Sequence, residues 1–207
     1  MSAPGVQPRA GDQPDARVDA AFAAQPRERF LPESVRGQAA LDQPLPIGFA
    51  QTNSQPTTVR DMLVLLDVHR GMKVLEVGAG TGWVLAMLAE LVGVDGTAIG
   101  TERIHRLVEA GNANLVAADV PWARLVEADE HALGAPEEAP FDRILVSAMA
   151  GRMPRTLVAQ LAPGGVMVAP VRMRMMRVVR GLPPHDDPDD AVVTEHGGYR
   201  FVPLIEP

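Results

Sequence analysis

The chain has 207 residues, enough for one domain of ordinary size with a good core. Its 46% hydrophobic and 22% charged content is that of a globular protein. The net charge of −7 argues against nucleic acid as a bulk electrostatic partner, and the absence of cysteine excludes disulfides, thiolate metal sites and cysteine nucleophiles.

No run approaches the ~18 apolar residues of a membrane span, and no apolar segment follows a basic start as in a secretory signal. The expected setting is cytoplasmic, with no membrane partner. Residues 1–14 hold Pro4, Gly5, Pro8, Gly11 and Pro14 with almost no large apolar side chain. They read as a disordered tail ahead of a single domain, 15–207.

From Asp15 a short helix is expected, with Val18, Ala21 and Phe22 on one face. Pro26 and Pro32 bracket RERFL, where Phe30 and Leu31 anchor a loop. Residues 41–56, LDQPLPIGFAQTNSQP, show no helical or strand period and read as one long loop, packed down by Leu45, Ile47 and Phe49. Ser54 is placed as the N-cap of a helix with Pro56 in its first turn and Val59, Met62, Leu63 and Leu66 on its apolar face.

A strand beginning at Lys73 then runs into Gly78, Gly80 and Gly82, and a nearly all-apolar helix follows over 84–92. Thr97 to Thr101 is a second strand delivering Glu102. After a helix carrying Ile104, Leu107, Val108, Gly111 and Leu115, Arg124 to Ala128 is a third, ending at Asp129. Phe141 to Ser147 is a fourth. Pro154, Leu157, Val158 and Leu161 predict a short helix stopped by Pro163-Gly164-Gly165, and Val166 to Val171 a fifth strand. Two extended runs, about 172–181 and 191–205, read as a hairpin around PPHDDPDD. The alternating RMRMMRVVR in the first of them suits an edge strand. Strands alternating with helices predict a doubly wound, mostly parallel α/β sheet covered on both faces, with an antiparallel C-terminal hairpin.

In such sheets ligands sit beyond the C-terminal ends of the strands. Those ends carry the glycine loop, Glu102, Asp129 and Ser147. A dinucleotide fingerprint would need glycine at position 83, which is Trp83. A carboxylate about 20 residues past the glycine loop is placed to accept both hydroxyls of a ribose. Another, after the third strand, can take an adenine amino group. His105, His131 and His185 have no ligand spacing, so no metal is expected, and no serine sits in a nucleophile-elbow pattern.

The Gly-x-Gly-x-Gly loop preceded by Glu76 resembles the S-adenosylmethionine loop of class I methyltransferases, whose fold is Rossmann-like. With PRERFLP (26–32), DQPLPIG (42–48), QTNSQP (51–56), KVLEVGAGTGW (73–83), APFDRILVSA (139–148) and HGGYRFVPLI (196–205), the chain resembles the protein-L-isoaspartate O-methyltransferases from about Val18 to Ile205. The resemblance implies S-adenosylmethionine as methyl donor, S-adenosylhomocysteine as product, and a peptide or protein L-isoaspartyl carboxylate as acceptor, a protein-repair reaction. It places Glu76, Gly78, Gly80, Gly82, Glu102 and Asp129 on the cofactor, and Gln51, Thr52, Asn53, Ser54 and Ser147 on the acceptor, with Ser54 the catalytic contact.

Four departures stand out. Asn53 and Met149 replace an apolar and a small residue on the acceptor side, Glu130-His131 follow Asp129 where Asp-Gly is usual, and Arg172 stands where glycine is common. The two on the acceptor side keep open an alternative acceptor, an ordinary aspartate in one dedicated peptide of a natural-product pathway. A relative that binds the cofactor without turnover is the third reading.

Overall fold

The computed structural model describes residues 14–185 and 187–206. Apart from Pro14, where the first helix begins, the tail read over 1–14 lies outside them.

Helix α1 (Pro14–Ala24) buries Val18 and Ala21, and Phe22 meets Trp83 edge to face at 5.6 Å between ring centroids. A 3-10 turn, Arg27–Phe30, follows and buries Phe30 and Leu31 as the expected anchors. Past α2 (Glu33–Arg36) the chain departs from expectation. The stretch read as irregular loop contains strands β1 (Leu45–Gly48) and β2 (Gln51–Asn53), paired antiparallel. Leu45 and Ile47 alternate into the interior, but two in-facing residues interrupted by Pro46 and Gly48 are too short a pattern to read. Phe49 is not packed down. It sits at the hairpin turn with φ 53° and is 52% exposed.

Helix α3 (Pro56–Leu66) buries Val59, Met62, Leu63 and Leu66 as the spacing predicts. Ser54 is not its cap. Gln55 holds that position without a side-chain bond, and the first turn is satisfied from a distance by Asp42. Its Oδ1 accepts the Thr57 N–H at 2.9 Å, and its Oδ2 accepts the Thr57 hydroxyl at 2.7 Å.

The main sheet comprises β3 (Lys73–Val77), β4 (Thr97–Glu102), β5 (Ala123–Glu127), β6 (Phe141–Val146), β7 (Leu161–Val171), β8 (Arg174–Val179) and β9 (Val192–Gly198). Their order is β5-β4-β3-β6-β7-β8-β9. The first five run parallel, and the pairs β7–β8 and β8–β9 are antiparallel. Successive residues feed opposite faces, as strand geometry demands. Val74, Leu145 and Val168 join the layer of α1, α3, α4 (Trp83–Val92) and α5 (His105–Ala117). Leu75, Ile144 and Met167 join the layer closed by α6 (Arg155–Ala159).

Three further expectations change at this end. Helix α6 stops before Leu161, which already belongs to β7, so Pro163-Gly164-Gly165 form an irregularity in that strand rather than a helix stop. Leu161 kept helical spacing only because a buried strand residue happened to follow. Arg172 and Met173 are the two-residue turn between β7 and β8, with φ of 48° and 67°, a left-handed conformation that explains why glycine suits this place. Strand β8 lies between β7 and β9, so the arginine- and methionine-rich run is interior and β9 is the edge. The second run ends as strand at Gly198, short of 205.

Candidate active site

The order reverses at β3, with β4 on one side and β6 on the other, and a crevice opens there beyond the strand ends. Into it turns the glycine loop. The Gly78 and Ala79 N–H groups both donate to the Thr101 carbonyl, at 2.8 and 3.1 Å, which ties the loop to the end of β4. Gly78 (φ 83°) and Gly82 (φ 84°) are left-handed, a conformation costly for any residue with a Cβ. A Cβ on Gly80 would stand 3.1 Å from Ile47 Cδ1, so the hairpin lies directly against the loop. From α5, Asn114 Nδ2 donates to the Thr81 carbonyl at 2.9 Å.

Of the residues that the family resemblance places on cofactor or acceptor, all but Gly82 line one cavity of about 350 Å3. Gly82 instead supplies the N-cap turn of α4. Glu102 is buried, and both its oxygens accept backbone N–H bonds at 3.0 Å, Oε2 from Gly80 and Oε1 from Ile104. Its remaining lone pairs can accept a vicinal diol. Asp129 is exposed at the far side, its Oδ1 fixed by the His131 N–H at 2.7 Å. That bond gives Glu130-His131 a structural reason: the turn orients the carboxylate.

Glu76 lies at the bottom, 1% exposed. The Ser147 hydroxyl donates to its Oε1 at 2.7 Å, so Ser147 is committed to Glu76 as well as lining the cavity. Burial is the main cause that pushes the Glu76 carboxyl up to about 8; the Ser147 bond opposes this, and the Glu102 charge adds to it. Glu76 Oε2 and Thr81 Oγ1 are buried without a protein partner. Two such orphans on one cavity are what a ligand bearing an ammonium group and a carboxylate would satisfy.

Ser54 sits at the mouth, at the end of β2, and its hydroxyl has no partner among the described residues. Asn53 lines the cavity, yet its side-chain oxygen accepts from Arg27 Nε at 2.7 Å. Met149 does not line the cavity. Its N–H donates to the Val202 carbonyl at 2.7 Å, and its own carbonyl accepts from Leu204 N–H at 2.8 Å. This pairing lays 202–206 along one wall of the cavity.

Sequence reasoning gave no role to that segment, although HGGYRFVPLI contains all of it but Glu206. It also passed over Gln160. That buried amide accepts the Ala135 N–H at 3.0 Å and donates to the Leu133 carbonyl at 2.8 Å, holding the wall past Asp129. No run of neighbours advertises a single buried amide. Among the described residues no group of three His, Cys, Asp or Glu is placed to hold a metal ion, and no helix is long and apolar enough to cross a membrane.

A Rossmann-like sheet with a glycine loop at its reversal point and carboxylates at the next two strand ends defines a class I methyltransferase. The profile of the Protein-L-isoaspartate(D-aspartate) O-methyltransferase (PCMT) family matches residues 9–207, and the chain belongs to that family. It is 44% identical over 189 residues to a Protein-L-isoaspartate O-methyltransferase of Methanopyrus kandleri, covering 91% of this chain and 83% of that protein. It is 44% identical over 202 residues to its namesake in Anaeromyxobacter dehalogenans, covering 92% and 90%. Among solved structures, a protein-L-isoaspartate O-methyltransferase superposes with a TM-score of 0.79 at 26% identity, over 92% of this chain and 61% of that one. The fold also matches a Plasmodium falciparum protein solved in complex with S-adenosyl-L-homocysteine, with a TM-score of 0.77 at 20% identity, over 94% and 93% of the two chains.

Proposed function

We propose that this chain transfers the methyl group of S-adenosylmethionine to the carboxylate of an L-isoaspartyl residue in a peptide or protein. The observation that carries this reading is the convergence on one cavity of the glycine loop, Glu76, Glu102 and Asp129 with the partner-free hydroxyl of Ser54. Family membership supports the same chemistry.

The cofactor supplies an electrophilic methyl group on a sulfonium. A carboxylate of pKa about 4 is ionised at neutral pH, so no general base is needed. One of its oxygens forms the O–CH3 bond as the S–CH3 bond breaks. The electron pair stays on sulfur, both formal charges vanish and no proton moves. Glu102 is held by two N–H donors to orient a ribose, and Glu76 offers Oε2 to a cation. Ser54 donates one hydrogen bond to the acceptor, which orients it without neutralising it. Because opposite charges cancel on reaction, a site screened from water favours the step. The β1–β2 hairpin and residues 202–206 form that screen.

The departures that kept a dedicated aspartyl peptide open lose force. Asn53 has its side-chain oxygen on Arg27, and Met149 stands outside the cavity lining. The reading is tested by incubating the protein with methyl-labelled cofactor and an isoaspartyl peptide. Base-labile label on the peptide is expected; cofactor binding without transfer to it would sink this reading and leave the dedicated aspartyl peptide and the turnover-deficient relative.

A further inference from the structure

Arg27 is a buried cation in the wall behind Ser54. It is 4% exposed, and its guanidinium makes six hydrogen bonds, all to uncharged oxygens. Nε donates to Asn53 Oδ1 at 2.7 Å. Nη1 donates to the carbonyls of Ala39 and Leu41 at 3.3 and 3.0 Å. Nη2 donates to those of Gln43, Asn53 and Ser54 at 2.8, 3.1 and 2.8 Å. The same group stacks on Trp83, 5.3 Å from the ring centroid, and Trp83 begins α4 and lines the cavity. One planar fork therefore fastens the segment 39–43, the end of β2 and the helix behind the glycine loop.

We propose that Arg27 is the positioning residue of the acceptor site. It holds the Ser54 backbone so that the hydroxyl faces the cavity, and it brings a buried positive charge, hydrogen-bonded to no carboxylate though within the field of Asp42, to the side from which an anionic acceptor enters. The proposal rests on the acceptor reading above. Its chemistry explains Asn53, because an apolar residue there would leave the Nε–H without its buried acceptor. It also explains why lysine cannot substitute: three donors on a point charge cannot span six acceptors on two segments and stack flat on Trp83 as well.

The test compares the full chain with Arg27→Lys and Asn53→Ala. In Arg27→Lys, kcat/KM for an isoaspartyl peptide is expected to fall about 100-fold, as for a catalytic group displaced by about 1 Å. S-adenosylhomocysteine affinity should stay within about twofold, which a general loss of structure would not allow. Amide exchange over 39–54 should rise at least about tenfold while that of β3 and β4 is unchanged. Asn53→Ala removes one acceptor only and should cost about tenfold in the same parameter. Unchanged kcat/KM or unchanged exchange in Arg27→Lys would overturn the proposal, as would S-adenosylhomocysteine affinity falling in step with activity. If the unmodified chain transfers no methyl group to the peptide, the acceptor reading fails, and the exchange measurement still decides whether Arg27 holds the segment.

Discussion

Glu76 gives the structure its sharpest dependence on pH. Its carboxyl is held at about 8 against an ordinary 4.5, chiefly because burial disfavours the charged form. Between those values the folded protein keeps a proton that the unfolded chain has released, so stability falls as pH rises through the window and levels above about 8. The whole gap corresponds to about 5 kcal/mol, of which about 2–3 kcal/mol falls between pH 6 and 8. Glu76→Gln removes the titration while keeping a side chain that can accept from Ser147. Urea unfolding of both proteins from pH 5.5 to 9 isolates the effect, since other groups cancel in the difference. The variant should gain about 2–3 kcal/mol on the parent between pH 6 and 8, then run parallel. S-adenosylhomocysteine affinity in the parent should strengthen with pH over the same range, because an ammonium facing Oε2 draws the proton off, and this slope should vanish in the variant. Parallel stability curves throughout would refute the reasoning.

Two further substitutions separate the halves of the site. Ser54→Ala should lower turnover roughly 10- to 100-fold, the worth of one hydrogen bond to a charged group. Its melting temperature should be unchanged, because Gln55 and Asp42 cap α3; a fall in melting temperature with turnover per folded molecule intact would mean that Ser54 serves structure alone. Asp129→Ala should weaken S-adenosylhomocysteine binding about tenfold, as seen by titration calorimetry, and unchanged affinity would pass its role to Glu130 or a backbone group.

What could be read in the sequence was what local spacing encodes. The glycine loop, the apolar α4 and the carboxylates at the strand ends all announce themselves within a dozen residues, and the sheet places them together by topology alone. The β1–β2 hairpin did not, since its strands are three and four residues long and interrupted by Pro46 and Gly48. The interior position of β8 depends on β9 pairing outside it, a choice made between distant segments. Arg27 was the largest omission. In RERF either arginine could face inward, and only the docking of the turn against Trp83 and the returning β2 selects the first. Its motif belonged to the family resemblance, but its six acceptors are scattered over 39–54.

The most direct test of the account is the ratio of initial methylation rates on two peptides of one sequence, one with L-isoaspartate and one with ordinary aspartate, at saturating S-adenosylmethionine. Steady methylation of the isoaspartyl peptide and little of the aspartyl one is expected. Methylation of the aspartyl peptide at an equal or greater rate would contradict it.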